Sequence, residues 1–322
     1  MQTKSRLPSA AALAFAAFGL VTAARAAAPM AKTQAPGFYR FSVGSFEVTA
    51  ISDGTVKLPM NKLLTSVKPE KVEAAFKRAY LAPDDETSDN CYLVNTGTKL
   101  VLIDTGAAGL FGPTLGKLQA NLKAAGYQPE QVDEIYITHI HPDHVGGLIA
   151  NGAIAFPNAT LRIDKADVDF WLDEAKMKAA PEASKGFFQG AMASVNPYVA
   201  AKKLSTFTGA TELVPGVRAE PSHGHTPGHT TYIVESDGQK LELWGDLMHA
   251  AAVQFPDPSV TIQFDTDSKA AAAARKSAYA DAAKKGYLVG ITHVSFPGVG
   301  HLRAAANGKG YDWFPLNYSS GK

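Results

Sequence analysis

Between residues 138 and 147 the chain reads Thr138-His139-Ile140-His141-Pro142-Asp143-His144-Val145-Gly146-Gly147, so three imidazoles and a carboxylate fall within six positions just after an apolar run. Imidazole and carboxylate are ligands for divalent transition metals, and H-x-H-x-D-H is a metal-binding spacing. In an extended segment alternate side chains point the same way, which aims His139 and His141 at one ion. The turn that follows swings Asp143 and His144 toward a neighbouring position, so two adjacent metal sites are implied. All nine histidines lie between His139 and His301, which concentrates the imidazoles in one region.

Four ligands cannot close two coordination shells, and further donors are expected downstream. Pro221-Ser222-His223-Gly224-His225-Thr226-Pro227-Gly228-His229-Thr230 follows a β-like run, Leu243-Trp244-Gly245-Asp246 ends another, and Ile291-Thr292-His293 ends a third. Each donor sits where a strand stops, and loops held by a rigid sheet carry most catalytic groups. A donor set of nitrogens and oxygens without thiolate suits zinc, and also manganese, cobalt or iron. Two ions roughly 3.5–4 Å apart can share a hydroxide and polarise a substrate oxygen, so metal-assisted hydrolysis is the expected chemistry. No Ser-His-Asp or Cys-His constellation is visible, which leaves hydroxide on the metals as the expected nucleophile. His249 and His301 belong to no such motif and receive no role.

The arrangement resembles the metallo-β-lactamase superfamily over nearly the whole chain after its N-terminal segment, most closely the methyl parathion hydrolase branch with its lactonase and aryl-esterase relatives. Val101-Leu102-Ile103-Asp104-Thr105-Gly106-Ala107-Ala108, the Thr138–Gly147 motif, the segment from Ser222 to Thr231 and His293-Val294-Ser295-Phe296-Pro297-Gly298 carry the likeness. The resemblance implies that His139, His141 and His225 hold one metal, that Asp143, His144 and His293 hold the other, and that Asp246 bridges both. It also implies that Asp104 orients a ligand histidine and that His229 stands behind the ligands. The implied fold is an α/β four-layer αβ/βα sandwich, with two sheets face to face, helices outside and the metals at one edge.

The elements that must position these residues can be read from the pattern. Tyr39 to Gly44 and Phe46 to Ile51 read as strands followed by a Ser52-Asp53-Gly54 turn, and Pro69 to Leu81 reads as a helix. Cys91 to Val94 and Lys99 to Ile103 flank Asn95-Thr96-Gly97-Thr98 as a hairpin, Thr114 to Ala125 is helical by its apolar spacing, and strand Val132 to Thr138 delivers the metal motif. Strands Thr231 to Glu235 and Lys240 to Trp244, helix Ser268 to Lys285 and strand Tyr287 to Ile291 repeat the logic, giving two similar β-rich halves.

Composition agrees with one substantial domain over residues 27–322: the 322 residues are 46% apolar, with 28 Gly and 19 Pro. Residues 1–26 read as a secretory signal peptide. Lys4 and Arg6 precede the Ala-rich stretch from Ala10 to Ala24, and Ala24-Arg25-Ala26 offers a small-x-small cleavage site. An exported protein, periplasmic or secreted, with no membrane span after cleavage is therefore expected. Removal of Lys4, Arg6 and Arg25 lowers the basic count from 31 to 28 against 30 acidic residues, about −2 overall. No basic excess or stripe remains for a phosphate backbone, and nucleic acid is excluded as a partner. Cys91 is the single cysteine and, inside a strand pattern, reads as a small buried residue. Gly112-Pro113-Thr114-Leu115-Gly116-Lys117 is one residue short of a phosphate loop and Leu118 replaces its hydroxyl residue, so that reading fails.

For the substrate, Phe111, Trp171 and Phe187 lie in segments that resemble the aromatic entrance of the methyl parathion hydrolase branch. The chain departs from that branch around Leu63, Ser184 and Phe264, and Leu63 and Phe264 join the candidate pocket residues. These departures favour a small neutral aromatic ester or lactone over a phosphotriester as the main substrate. A primary phosphotriester hydrolase and a non-hydrolytic di-iron redox or metal-binding protein are the alternatives, and a homodimer is compatible with all three.

Overall fold

The computed structural model describes residues 28–84 and 86–319. The expected signal segment, residues 1–26, lies outside the described residues, and residues 28–35 carry no helix or strand. From residue 36 on, the described residues form one compact unit. Among the described residues no helix is long and apolar enough to cross a membrane.

Two seven-stranded sheets make up its centre. The first runs, in spatial order, Phe38–Val43, Phe46–Lys57, Glu86–Asn95, Leu100–Ile103, Glu134–Tyr136, Thr160–Asp164 and Leu204–Phe207. The second runs Thr211–Val214, Val217–Pro221, Thr230–Ser236, Gln239–Leu243, Leu288–Gly290, Val299–Ala304 and Tyr311–Pro315. In each sheet the first four strands pair antiparallel, and the fourth pairs parallel with the fifth. The two β-rich halves expected from the pattern are these two sheets.

The four-layer stacking follows from the two-residue side-chain period of strands. Along Leu100–Ile103, Val101 and Ile103 join the core between the sheets with Tyr92, Tyr136, Tyr232, Val234 and Leu241. Leu100 and Leu102 face outward and pack with Cys91, Leu93 and Ile135 under Leu118, Leu122, Phe188 and Val195 of the covering helices. On the far side Val289 packs beneath Tyr279 and Ala282 of helix Ser268–Lys285. Strands buried on both faces read as continuous apolar runs, and Leu100-Val101-Leu102-Ile103 is fully buried. Burial at about 25 cal/mol per Å2 over three such clusters is the main force holding the layers together.

Helix Ser268–Lys285 has the expected bounds. Asp267 caps its first turn by accepting from the Ala270 N–H at 2.9 Å, and Gly286 ends it in the left-handed conformation at φ 71°. Three expectations are corrected. The Ser52-Asp53-Gly54 turn is instead a bulge inside the long strand Phe46–Lys57, where the register shifts between Ser52 and Gly54. Asp53 is turned inward there and accepts the Ala107, Gly116 and Leu118 N–H groups, each at 2.9 Å. A bulge and a turn share composition, and the buried partners that separate them are distant in sequence. For the same reason the helix expected from Thr114 starts only at Leu118, because Gly116 and Lys117 are tied to Asp53. The strand before the metal motif is also shorter than expected, Glu134–Tyr136. Helix Glu182–Ala200, which packs over the first sheet, was not foreseen as a helix.

Candidate metal centre

The residues of the H-x-H-x-D-H motif leave the end of strand Glu134–Tyr136 and enter the short helix Pro142–Val145, so one turn of chain carries all four donors. The turn is held close against the preceding loop: a Cβ on Gly147 would stand 1.9 Å from the Thr105 carbonyl oxygen, which excludes any side chain at that position. Asp167 fastens the motif to the second sheet, its carboxylate accepting from Ile140 N at 2.9 Å and Gly228 N at 2.6 Å. Gly245, at φ 53°, lets the end of strand Gln239–Leu243 pass beside Thr138 and His229 and deliver Asp246. Three strand ends from two sheets therefore meet at one edge.

Asp246 is the meeting point. Its Oδ2 lies 3.6 Å from His139 Nε2 and 3.3 Å from His225 Nε2, while its Oδ1 lies 3.2 Å from His144 Nε2 and 3.1 Å from His293 Nε2. His141 Nδ1 is 3.1 Å from His225 Nε2. Asp143 Oδ2 is 3.7 Å from His144 Nε2 and 3.6 Å from His293 Nε2. Two groups of converging ligand atoms result, His139 with His141, His225 and Asp246, and Asp143 with His144, His293 and Asp246. Among the described residues His139 Nε2, His144 Nε2 and Asp246 Oδ1 are buried without a hydrogen-bond partner. Orphaned lone pairs that converge in this way fit a pair of divalent cations.

The outer atoms of the ligands are fixed by the scaffold. His144 Nδ1 faces Asp104 Oδ2 at 2.8 Å, and Asp104 also accepts the Thr138 N–H and hydroxyl at 2.8 Å each. Asp104 holds this position with a left-handed backbone, φ 59°. His293 Nδ1 donates to the Ser88 carbonyl at 2.9 Å, and His225 Nδ1 faces Asp265 Oδ1 at 2.9 Å. His229 stands behind the ligands: its Nδ1 donates to Ser222 O and its Nε2 accepts the Asp246 N–H, both at 3.1 Å.

Electrostatics divides the imidazoles. Burial, with the neighbouring imidazoles His144 and His225, holds His139 and His141 well below the usual histidine range, so both are neutral and each keeps one lone-pair nitrogen. Burial opposes protonation of His225 and His293 as well, but Asp246 with Asp265 in the first case, and Asp246 with Asp143 in the second, push each up to about 9. His144 is likewise raised, against its burial, by Asp246, Asp143 and Asp104. Burial works against ionisation of Asp246, yet His293, His144 and His249 keep it well below the carboxylate range.

Beside the ligands a cavity is lined by Val56, Leu58, Phe111, Leu115, Phe187 and Phe264 on its apolar side and by His141, Asp143, Asp246 and His293 on its polar side. Phe111, Phe187 and Phe264 were expected there. Trp171 and Leu63 are not among the lining residues. Trp171 is buried beneath, edge-on to His141 at 5.0 Å and against Phe188 at 4.7 Å, where it fixes a ligand ring. Leu63 packs into the separate cluster around Met60, Val72 and Val260.

Three residues of the site were missed. His249 Nε2 lies 3.0 Å from Asp246 Oδ2, and its ring stacks on His293 at 5.2 Å. Its proximity to Asp246 in sequence was the available signal. Asp265, beside His225, carried none, since nothing in Gln263-Phe264-Asp265-Thr266 marks it. Asp89 lines the cavity from strand Glu86–Asn95. His301 stays apart, its Nδ1 donating to Gly286 O. Cys91 is buried and free within the outer core of the first sheet.

Residues 84–293 match the family profile of the metallo-beta-lactamase superfamily, and the chain belongs to that superfamily. An N-acyl homoserine lactonase from a Bacillus sp. is 30% identical over 166 residues, 46% of this chain and 58% of that protein. Another, from Bacillus cereus, is 29% identical over 172 residues, 48% of this chain and 60% of that protein. The chain thus spans somewhat more than half the length of the curated relatives it matches. Among solved structures, the hydrolase AbOPH of the beta lactamase superfamily superposes with a TM-score of 0.84 at 36% identity, over 89% of this chain and 100% of that one. AidC, a dizinc quorum-quenching lactonase, superposes with a TM-score of 0.80 at 28% identity, over 88% of this chain and 99% of that one.

Proposed function

We propose that the chain is a dinuclear-metal hydrolase of lactones and aryl esters, with phosphotriesters as a weaker activity. One observation carries the reading: the two oxygens of Asp246 face two separate groups of imidazole nitrogens at 3.1–3.6 Å, and an aromatic-walled cavity opens on both. His139, His141 and His225 would hold one ion, Asp143, His144 and His293 the other, and Asp246 both. Zinc fits the nitrogen and oxygen donors, and manganese, cobalt or iron would be accepted by the same set. When bound, such a pair supplies Lewis acidity that activates water and polarises the substrate oxygen.

The protein's own part is placement. Asp104, Asp265 and Ser88 O hold three ligand imidazoles in the orientation that turns their inner nitrogens toward Asp246. Phe111, Phe187 and Phe264 line the small cavity as an apolar wall beside those donors, on which an aromatic ring would pack. The lactonase relatives support a small ester-type substrate, and AidC supports zinc. Where a thiolate ligand would mark a β-lactamase, Asp246 stands at the strand end.

Metal analysis together with kcat/KM for dihydrocoumarin, phenyl acetate, a dimethyl aryl phosphotriester and a β-lactam tests the proposal. Two ions per chain, loss of activity on chelation and highest kcat/KM on the lactone or aryl ester are expected. A β-lactam preference would overturn the substrate reading. Redox-active visible absorbance with no turnover of any ester would overturn hydrolysis itself.

A further inference from the structure

Asp89 belongs to strand Glu86–Asn95 and is flanked by two residues that lock the strand to the loop carrying His293. The Ser88 carbonyl accepts from His293 Nδ1 at 2.9 Å, and the Asn90 amide donates to Ile291 O at 3.2 Å and Val294 O at 2.7 Å. Alternation along the strand sends the Asp89 side chain to the opposite face from Asn90. There it lines the cavity together with Phe111, Leu115, Asp143 and His293.

Asp89 is 1% exposed, and among the described residues neither carboxyl oxygen has a hydrogen-bond partner. Nearby Asp53 shows what a purely structural buried carboxylate looks like here, with three backbone N–H donors on its two oxygens. Asp89 is also outside both groups of converging ligand atoms. Leaving two acceptor oxygens idle in a buried position is costly, and native proteins rarely do so without a use for them. In either protonation state a carboxyl keeps an acceptor oxygen, which a hydrogen-bond donor on a substrate can use.

We infer that Asp89 is a substrate-recognition residue whose carboxyl accepts a hydrogen bond from an N–H or O–H group that the substrate carries next to its scissile ester bond. The inference rests on the hydrolase reading above and narrows its substrate class to donor-bearing esters and lactones. Plain aryl esters would be turned over without using this contact.

The test compares kcat/KM of the full-length, metal-loaded protein for 3-acetamidodihydrocoumarin and for its N-methylacetamido counterpart, which has similar bulk and no donor. The wild-type protein should prefer the N–H compound by about 3- to 10-fold, the range for a net hydrogen bond to a neutral group. Asp89→Leu should bring that ratio close to one, mainly through KM, with two ions still bound. Asp89→Asn, which keeps the shape and one acceptor oxygen, should retain part of the preference and carries the test if the leucine variant does not fold. A wild-type ratio near one overturns the inference, as does a preference that survives in both variants. An equal fall on both substrates accompanied by metal loss assigns Asp89 to the metal scaffold and overturns it too. If no ester or lactone is hydrolysed at all, the proposed function falls and this inference with it, whereas turnover without donor preference removes only the assignment of Asp89.

Discussion

The two halves of the metal centre share Asp246 and differ in enclosure. His139, His141 and His225 are shut in by Trp171, Phe187 and Asp265, with His139 fully buried. In the other half the Asp143 side chain is 21% exposed and borders the cavity alongside His293. The difference separates two tasks that a hydrolytic centre must combine. The more enclosed half is suited to retaining an ion, and the half with the partly exposed carboxylate is suited to admitting water and substrate from the cavity that borders both.

The largest effect should come from the residue common to both halves. Asp246→Ala is expected to remove both ions and to lower kcat/KM by about 1,000-fold or more, the scale of several kcal/mol that metal assistance supplies. A variant that keeps two ions by elemental analysis would show that Asp246 is not shared.

Removing a ligand from one half only should sharpen the comparison. Asp143→Ala is expected to leave one ion per chain, held by the closed group, whereas His225→Ala should strip that group and weaken the other through Asp246. Equal ion content in the two variants would erase the distinction between retaining and admitting halves.

The carboxylates behind the ligands should act more mildly. Asp104→Asn and Asp265→Asn are each expected to cost about 10- to 100-fold in metal affinity or turnover, Asp104 through His144 in the open half and Asp265 through His225 in the closed half. Titration with a competing chelator checks which ion is lost first in each variant. Loss of the same ion from both would contradict the pairing.

Protons should couple to each half of the centre. Asp246, with Asp265 beside His225 and Asp143 beside His293, raises both imidazoles to about 9 in the metal-free protein, and His144 is raised as well. These groups are protonated below that pH, so metal binding must expel protons, and affinity should rise with pH by about tenfold per unit for each proton before flattening near pH 9. In the metal-free protein the same raised values stabilise the fold below the ordinary histidine value of 6.5, and that contribution fades as pH rises through about 9. Calorimetry in buffers of different ionisation enthalpy counts the protons released. More should leave with the open half, which holds two raised imidazoles against one. Metal affinity independent of pH between 6 and 9 would contradict the assignment.

Much of this was legible because it is local. H-x-H-x-D-H packs four donors into one turn of chain, and the apolar run of Leu100 to Ile103 announces a strand covered on both faces. Asp267 and Gly286 mark a helix at both ends by chemistry that acts within a few residues. The misreadings around the site were long-range. In sequence Asp53 reads as part of a turn, because its three N–H partners lie 54 to 65 residues away. Trp171 was placed in the pocket wall although His141 and Phe188 cover it. Asp265 and His249 acquired their roles only by standing next to His225 and Asp246.

By itself, then, the chain determined the donor chemistry, the strand ends that carry it and the two β-rich halves, since residue type, spacing and side-chain period act over a few residues, while the layered stacking was implied by the family resemblance. Tertiary structure alone decided which oxygen of Asp246 faces which imidazoles, which half of the centre is open, and that a carboxyl from a strand fifty residues before the motif lines the cavity. Those outcomes depend on how two sheets meet at one edge, and a hydrogen bond or a burial is set by distance in space, which spacing along the chain does not encode.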